Sequence, residues 1–261
     1  MINHSEMRVW ATRPLAQNQQ WQDALQSRGF ATVAVPMLAI EPLQDTQSVQ
    51  SIKNLILDFD QFNKVIFVSQ NAVHEAFQWL HDYWPQLPMD IEYFAVGIKT
   101  GEQVLLQGVA VTAAQQSMNS EELLALPQMQ NVWGEKVLIF RGQGGLPRLG
   151  EVLHERGAIV RYCELYQRLL PADAQQTCQN LLPTVTANDV IPLFSGETLQ
   201  NFSNLLQACN SAERAMTVVV PGKRVAQMAQ SLGFSQVAVA SNASSQAMLE
   251  AVLSHAAQAN H

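Results

Sequence analysis

The stretch KVIFVSQNAV at residues 64–73 returns later in the chain as DVIPLFSGETL at residues 189–199. In each copy a short apolar run ends at polar residues that include a serine, and a segment with helical periodicity follows. A short, continuously apolar run is typical of a strand buried on both faces, as in a parallel sheet covered by helices. The repeated unit therefore predicts an α/β chain with two similar domains.

Two more pairs repeat at nearly the same spacing. RVWATRP at residues 8–14 resembles KVLIFRG at residues 136–142, and YFAVGIKTGEQV at residues 93–104 resembles TVVVPGKRVAQM at residues 217–228. Open parallel sheets bind their ligands at the carboxyl ends of the strands, so the loops after these strands are the predicted binding elements. The residues of these loops that we predict to contact a ligand are Arg13, Ser69, Asn71, Gly97, Lys99, Thr100, Arg141, Gly142, Ser195, Gly196, Gly222 and Arg224.

Composition restricts the class of ligand. The chain of 261 residues is 48% apolar, enough for packed cores, and its net charge of −7 argues against a nucleic-acid-binding protein. A few arginines and backbone N–H groups can still bind a small anion locally. The three cysteines lack metal-like spacing and predict unpaired thiols in a reducing cytoplasm. We expect no secretory signal and no membrane span of about 18 apolar residues, hence a soluble cytoplasmic protein.

The glycine-rich stretch RGQGG at residues 141–145 raises the question of dinucleotide binding. Glu164 lies about where a ribose-binding acid would follow, but the third glycine of the fingerprint is replaced by Pro147. The simpler interpretation is a loop whose backbone amides line an anion site at a helix N-terminus. Arg13 and Arg141 are then either surface or helix-terminus arginines or contacts for a carboxylate-bearing ligand.

The serines do not resemble a nucleophile elbow. Ser69 and Ser195 stand in FVSQN and LFSGE rather than in G-x-S-x-G, so acyl-enzyme chemistry is disfavoured. Both are predicted N-caps of the helices that follow, a role compatible with ligand contact through exposed N–H groups. The histidines show no metal-like clustering, and we predict no metal. The chain is thus expected to hold a ligand and to act mainly by positioning it.

Taken in order, several segments carry a family resemblance. They are TRP at 12–14, FVSQNAV at 67–73, AVGIKT at 95–100, RGQGGLPRLGEVLHERGAIV from 141, YQR at 166–168, FSGETL at 194–199 and VAVASNASSQAMLEAV at 237–252. In order and spacing, from residue 8 to about residue 252, the chain resembles the uroporphyrinogen-III synthase family. The resemblance implies two Rossmann-like or flavodoxin-like parallel-sheet domains joined by a two-stranded connection.

Two extended, proline-marked segments at residues 35–43 and 164–171 suit such a connection, since proline disfavours helix. Together with the resemblance they place one discontinuous domain at residues 1–38 plus 169–261 and an inserted domain at residues 39–168. The resemblance further implies a monomer without cofactor or metal. It also implies that the substrate binds in the cleft between the domains, mostly through backbone N–H groups and a few cations.

The activity implied by the resemblance is that of a cyclising hydro-lyase of tetrapyrrole and heme biosynthesis. Linear hydroxymethylbilane, a tetrapyrrole substrate received by hand-over from hydroxymethylbilane synthase, loses water and closes to uroporphyrinogen III with inversion of ring D through a spiro intermediate. Tyr166 matches the family tyrosine favoured as the catalytic proton donor, and its alternative role is packing at the connection. Thr100 matches a family threonine, whereas Lys223, Arg224 and Val225 stand where the second half of the family often has one.

Other classes of function stay open at this stage. The main alternative is a non-catalytic, two-lobed cytoplasmic protein that binds a small anionic ligand. A nucleotide-dependent transferase is weakened by the missing Walker and dinucleotide motifs.

Overall fold

The computed structural model describes residues 7–113, 120–209 and 216–259. By its internal contacts the chain divides into two compact units. Unit 1 combines Met1–Ala39 with Leu169–His261, and unit 2 is Ile40–Arg168. The chain thus passes between the units twice, at residues 39/40 and 168/169.

Strands and helices alternate along the described part of the chain. Its strands are β1 (Arg8–Ala11), β2 (Ala31–Ala34), β3 (Ala39–Pro42), β4 (Lys64–Phe67), β5 (Glu92–Ala95), β6 (Thr112–Ala113), β7 (Lys136–Gly142), β8 (Ile159–Leu169), β9 (Asp189–Pro192), β10 (Thr217–Pro221) and β11 (Val237–Ala240). Its α-helices are α1 (Leu15–Gln26), α2 (Thr46–Leu57), α3 (Gln70–Tyr83), α4 (Ile98–Leu106), α5 (Ser120–Ala125), α6 (Arg148–Glu155), α7 (Ala174–Leu181), α8 (Gly196–Ala208), α9 (Lys223–Ser231) and α10 (Ser245–Ala259). Short 3₁₀ turns lie at Phe59–Gln61, Pro127–Met129 and Leu182–Thr184.

Unit 1 is built on a five-stranded sheet in the order β11-β10-β9-β1-β2, whose neighbouring strands run parallel. Apolar side chains are buried on both of its faces. Trp10, Phe202 and Phe234 lie in one core cluster, and Val9 and Trp21 lie in another. The residues of β9 and nearly all those of β10 are buried, because helices cover both faces of a parallel sheet.

A buried carboxylate joins the middle strands of unit 1. Asp189 accepts hydrogen bonds from Arg8 Nε at 2.6 Å, from Trp10 Nε1 at 2.8 Å and from the backbone N–H of Thr186 at 2.8 Å. Burying an ionised carboxylate is costly unless donors replace its water. These three donors supply that compensation and hold β1 beside β9.

Unit 2 is built on a six-stranded sheet in the order β3-β8-β7-β4-β5-β6. The pairings from β8 across to β6 are parallel. Strands β3 and β8, through which the chain passes between the units, are neighbours in this sheet. Stacked phenylalanines fill one face of the core, with Phe67 and Phe140 ring centroids 5.3 Å apart.

The predicted α/β class with two mostly parallel sheets is confirmed. Four short, continuously apolar runs of the sequence, at residues 65–68, 137–140, 218–220 and 237–240, lie within or beside β4, β7, β10 and β11. The proline-marked segments are extended, as predicted, and contain β3 and the end of β8.

The repeated loops also adopt the same local backbone in the two units. Ser69 and Ser195 have φ/ψ of −162°/163° and −158°/166°, and each caps the helix that follows it. Gly97 precedes α4 with φ of 86°, and Gly222 precedes α9 with φ of 84°. Residues that have a Cβ rarely adopt such values. The internal sequence repeat is therefore a structural repeat at these four positions.

Candidate functional site

Three loops of unit 2 follow neighbouring parallel strands. Ser69 follows β4, Gly97 follows β5, and Gly142 ends β7. Because β7, β4 and β5 are adjacent and parallel, these loops lie at one edge of the sheet, where open α/β sheets bind ligands. A hydrogen bond of 3.4 Å from Gln70 Nε2 to the carbonyl of Lys99 links two of them.

Ser69 connects the start of α3 to strand β8. Its Oγ accepts a hydrogen bond from the N–H of Ala72 at 3.1 Å, the interaction that defines an N-cap. The same Oγ lies 3.0 Å from the Oη of Tyr166, within hydrogen-bond distance. The predicted N-cap role is confirmed, and the serine hydroxyl also touches the residue predicted as the proton donor.

Tyr166 is brought to Ser69 by an irregularity in β8. The register of β8 against β7 runs regularly to the pair Arg141–Glu164 and then shifts, so that Gly142 pairs with Tyr166. Leu165 is passed over in this ladder, and its carbonyl accepts from the N–H of Leu43 instead. Such a bulge re-aims the side chains that follow it. Tyr166 is 3% exposed as a whole residue, and its ring packs beside Gly142.

Arg141 organises the loop that follows β7. Its Nη2 donates to the carbonyl of Gly145 at 2.5 Å and lies 3.3 Å from Glu164 Oε1, while its guanidinium carbon lies 4.4 Å from the centre of the Tyr162 ring. The side chain is buried, with a relative exposure of 8% for the residue. These contacts satisfy much of the donor capacity of the guanidinium within the protein.

The amides of the same loop also have internal acceptors. Gln143 N–H donates to the carbonyl of Tyr166 at 2.7 Å, Gly144 N–H to Glu164 Oε1 at 3.3 Å and Gly145 N–H to the carbonyl of Gly142 at 3.3 Å. Helix α6 begins only at Arg148. The glycine-rich loop is therefore folded onto β8, and its predicted role as an anion site stays a prediction.

A cavity of about 470 Å³ opens at this edge of unit 2. Ser69, Arg141, Gly142 and Tyr166 line it, so the structure brings four of the predicted residues together. Arg168, Tyr162 and Ser120 add further polar groups, and the apolar lining is Val68, Val96, Ile139, Leu146 and Leu149. An apolar pocket with a few convergent polar groups is the usual form of a small-molecule site.

The remaining predicted residues of unit 2 lie outside the described lining of this cavity. Gly97 and Thr100 are buried at the start of α4, Lys99 is exposed there, and Asn71 is half-buried in the first turn of α3. Their roles in binding stay predictions.

The predicted residues of unit 1 follow the strands of its own sheet. Arg13 stacks on Phe194 at 4.6 Å, binds Gln17 at 3.0 Å through Nε and donates to Ser245 Oγ. Burial lowers the pKa of its guanidinium, because desolvation disfavours the charged form.

The other unit 1 residues lie at two helix starts. Ser195 forms a capping box with Thr198, and Gly196 is the first residue of α8. Gly222 precedes α9, where Arg224 is exposed. Their contact with a ligand stays a prediction.

Comparison with known proteins identifies the family. A family model described as HEM4, uroporphyrinogen-III synthase HemD, matches residues 19–250. The chain is 30% identical over 254 residues to the uroporphyrinogen-III synthase of Escherichia coli strain K12, an alignment that covers 94% of this chain and 100% of that protein.

The chain belongs to the uroporphyrinogen-III synthase family. The Salmonella typhimurium strain LT2 uroporphyrinogen-III synthase is 29% identical over the same share of both chains. The family predicted from the sequence is thereby confirmed, and so is the predicted function of uroporphyrinogen-III synthase.

Solved structures show the same fold at low sequence identity. A crystal structure of a mutant uroporphyrinogen III synthase from the extremely thermophilic bacterium Thermus thermophilus matches with a TM-score of 0.62 at 15% identity, covering 97% of this chain and 99% of that one. The uroporphyrinogen-III synthetase of Helicobacter pylori 26695 matches with a TM-score of 0.58 at 17% identity, covering 95% of this chain and 99% of that one.

Two observations concern cofactor and membrane association. Among the residues at 7–113, 120–209 and 216–259, no three His, Cys, Asp or Glu side chains cluster as ligands for a metal. His4 and His261, which entered the sequence-based argument about metals, lie outside these residues. No helix within the same ranges is long and apolar enough to cross a membrane.

Sequence reasoning missed the three further polar side chains of the cavity lining, those of Ser120, Tyr162 and Arg168. Tyr162 and Arg168 lie on β8 at even spacing from Tyr166, which would have placed them on one face of a regular strand. Ser120 begins α5, far from Tyr166 in sequence. This even spacing was the sequence signal that pointed to Tyr162 and Arg168. The register shift in β8 interrupts the regular alternation of side chains on which such a signal depends.

Proposed function

We propose that this chain acts as a cyclising hydro-lyase on hydroxymethylbilane and that Tyr166 is its proton donor. The donor assignment is supported by the 3.0 Å distance between the hydroxyl oxygens of Tyr166 and Ser69, two residues that both line the unit 2 cavity. A general acid must lie in the substrate site and carry a proton that it can transfer, and the phenol of Tyr166 has one O–H to donate.

In the proposed reaction the terminal hydroxyl of the substrate leaves as water after accepting a proton from Tyr166. The resulting N-protonated azafulvene is attacked at its exocyclic methylene carbon by the substituted carbon of the last pyrrole ring, ring D, which gives a spiro intermediate. The bond from ring D to its original bridging carbon then breaks and leaves an azafulvene on the neighbouring ring. The methylene of that azafulvene bonds to the free carbon of ring D, which inverts ring D and closes the macrocycle, and the proton lost from this carbon returns to the Tyr166 phenolate. The apolar part of the lining, including Val68, Ile139 and Leu149, limits the access of competing water to the electrophile.

The acetate and propionate arms of the substrate require cations and N–H donors. In unit 2 we assign this role to Arg168 in the cavity lining, to exposed Lys99 and to the loop at Gly97 and Thr100. Arg141 acts mainly by holding the loop after β7, since Glu164 and the Gly145 carbonyl already occupy its Nη2. In unit 1 we assign the same role, binding of the acetate and propionate arms, to Arg13, to Arg224 and to the loops that precede α8 and α9.

We further propose that the enzyme is a cytoplasmic monomer that receives its tetrapyrrole substrate from hydroxymethylbilane synthase. Its three cysteines are all free thiols, as suits a reducing compartment. Sedimentation velocity of the purified chain tests the monomer, and a dimer at micromolar concentration would refute it.

The activity is tested by following isomer formation. Hydroxymethylbilane is generated in situ from porphobilinogen, the purified chain is added, and the oxidised products are resolved by chromatography. We expect isomer III to dominate over the isomer I that forms spontaneously. Isomer I alone, combined with tight binding of the substrate, would instead support a non-catalytic binding protein.

A further inference from the structure

The hydroxyl of Ser69 has a partner that its counterpart in the structural repeat lacks. Ser195 caps α8 in the same backbone conformation, but its Oγ lies 3.2 Å from Thr198 Oγ1, in a capping box closed within the helix. The residue equivalent to Thr198 in α3 is Ala72, which has no side-chain hydroxyl. Ser69 is therefore left to contact Tyr166 at 3.0 Å.

From this difference we infer that Ser69 is a positioning residue that aims the Tyr166 proton into the cavity and stabilises the phenolate left after proton transfer. The inference rests on the proposed role of Tyr166 as the donor. In this role Ser69 acts on Tyr166, the proposed general acid. The sequence had instead predicted a direct contact between Ser69 and the substrate.

The hydrogen-bond inventory of Ser69 supports the first part of this role. A serine hydroxyl has one proton to donate and two lone pairs that accept. One lone pair accepts from the Ala72 N–H, which leaves the proton free to be donated to Tyr166 Oη. When Ser69 donates, the proton of Tyr166 itself points away from Ser69, and Tyr166 lines the cavity.

The position of Ser69 at the start of α3 supports the second part. The N-terminus of this 14-residue helix carries partial positive charge, and Ser69 lies between it and Tyr166. A hydrogen bond to a phenolate is stronger than one to a neutral phenol. The Ser69 interaction therefore strengthens as the proton leaves, and interactions that strengthen in the transition state raise kcat.

The kinetic test compares Ser69→Ala with Ser69→Thr, each alone and combined with Tyr166→Phe. We expect Ser69→Ala to lower kcat about tenfold with KM changed less than about twofold, and Ser69→Thr to restore most of the loss. In the Tyr166→Phe background, Ser69→Ala should change kcat less than about twofold, because the group it positions is gone. Asp45→Ala, which removes the N-cap of α2 in the same unit, is the stability control and should leave kcat unchanged.

A spectroscopic arm tests the contact without relying on turnover. The chain contains four tyrosines, so labelling with 3-fluorotyrosine gives a small ¹⁹F spectrum in which Tyr166→Phe assigns one resonance. We expect Ser69→Ala to shift that resonance and Ser69→Thr to leave it near its original position.

The outcomes separate this inference from the proposed function. An equal loss from Ser69→Ala with and without Tyr166, a rise in KM at unchanged kcat, or an unmoved Tyr166 resonance would each overturn the role of Ser69. Absence of isomer III from the unmodified chain would overturn the proposed function, and the ¹⁹F spectra would still decide whether Ser69 positions Tyr166.

Discussion

The ring of Tyr166 lies so close to Gly142 that a side chain at residue 142 has no room. A Cβ atom placed on Gly142 would come within 2.5 Å of Tyr166 Cε2 and 2.8 Å of its Cζ. The two residues are cross-strand partners at the register shift between β7 and β8. Glycine at residue 142 therefore allows the aromatic ring to cover the backbone of β7 and sets where the phenol stands.

We expect Gly142→Ala to displace the Tyr166 ring and to lower kcat at least about tenfold. Displacing a catalytic group by about 1 Å is enough for a loss of this order or larger. The same variant should unfold at lower temperature, and the double variant Gly142→Ala/Tyr166→Leu should recover part of that loss because the clash is removed. Purely additive effects of the two substitutions on thermal unfolding would contradict the close contact.

Tyr166→Phe should lower kcat by at least about a hundredfold while it leaves the fold intact. The substitution removes the proposed donor and keeps the aromatic ring that packs in the core of unit 2. Isomer III formation measures the activity, and circular dichroism with thermal unfolding controls for structure. Full isomer III formation by the purified variant would show that Tyr166 is not the acid.

Because Arg141 is buried, we expect its replacement to lower the free energy of unfolding more than the replacement of an exposed arginine does. Arg141→Lys should destabilise unit 2 by about 2 kcal/mol, because the planar fork that reaches Glu164 and the loop carbonyls is lost. The matched control is Arg148→Lys, because exposed Arg148 lies 3.6 Å from Glu121 in an ion pair at the surface. This substitution should lower the free energy of unfolding by less than about 0.5 kcal/mol. Urea denaturation measures both, and equal costs would contradict the role of Arg141.

We expect the stability of the folded protein to depend on pH through the ionisation of Glu75. It is 8% exposed on α3, and burial raises the pKa of its carboxyl, an effect that nearby His74 partly opposes. The folded protein binds this proton more tightly than the unfolded chain does. The favourable contribution of Glu75 to the free energy of unfolding is therefore present at low pH and is lost as pH rises through the folded-state pKa.

Glu75→Gln should therefore raise Tm by a few degrees at pH 7 and by little near about pH 4, where the carboxyl is largely protonated in both states. Differential scanning calorimetry at the two pH values measures this, with Glu102→Gln at an exposed position of α4 as control. A lower Tm for Glu75→Gln at pH 7 would show that the ionised carboxylate stabilises the fold.

The three thiols should differ in reactivity. Burial raises the pKa of Cys163, and burial together with neighbouring Cys209 raises the pKa of Cys178 to about 12. Since the thiolate is the reactive form, these two should resist Ellman's reagent in the native protein, whereas half-buried Cys209 reacts first. Titration with and without denaturant measures the three, and rapid native labelling of Cys163 in a Cys209→Ser variant would contradict this.

Much of the local structure could be predicted from the sequence. The apolar runs of the repeated segments, such as residues 65–68 and 218–220, were predictable as buried strands because a short, continuously apolar run is a local signal. Ser69 and Ser195 were predicted as N-caps because capping requires only a short polar side chain and the next turn of backbone. The two passages of the chain between units lie in the segments where prolines exclude helix.

The candidate site was less predictable. The repeat predicts Arg13 and Arg141 in equivalent loops, yet Arg13 follows β1 and stacks on Phe194, whereas Arg141 lies within β7 and pairs with Glu164. Neither partner is visible from the local sequence around the arginine. The involvement of Tyr162, Arg168 and Ser120 in the cavity depends likewise on strand order and register.

The sequence by itself determined the two α/β units, the loops at the ends of their strands and the family, because each rests on local periodicity and on ordered motifs. Only the tertiary structure decided that Ser69 meets Tyr166, 97 residues away in the chain. That contact requires β8, β7 and β4 to be neighbours and requires a register shift at Gly142 that turns the phenol toward α3. The order of these strands and the register shift depend on packing between segments far apart in the chain, which the residues next to Ser69 or Tyr166 do not show.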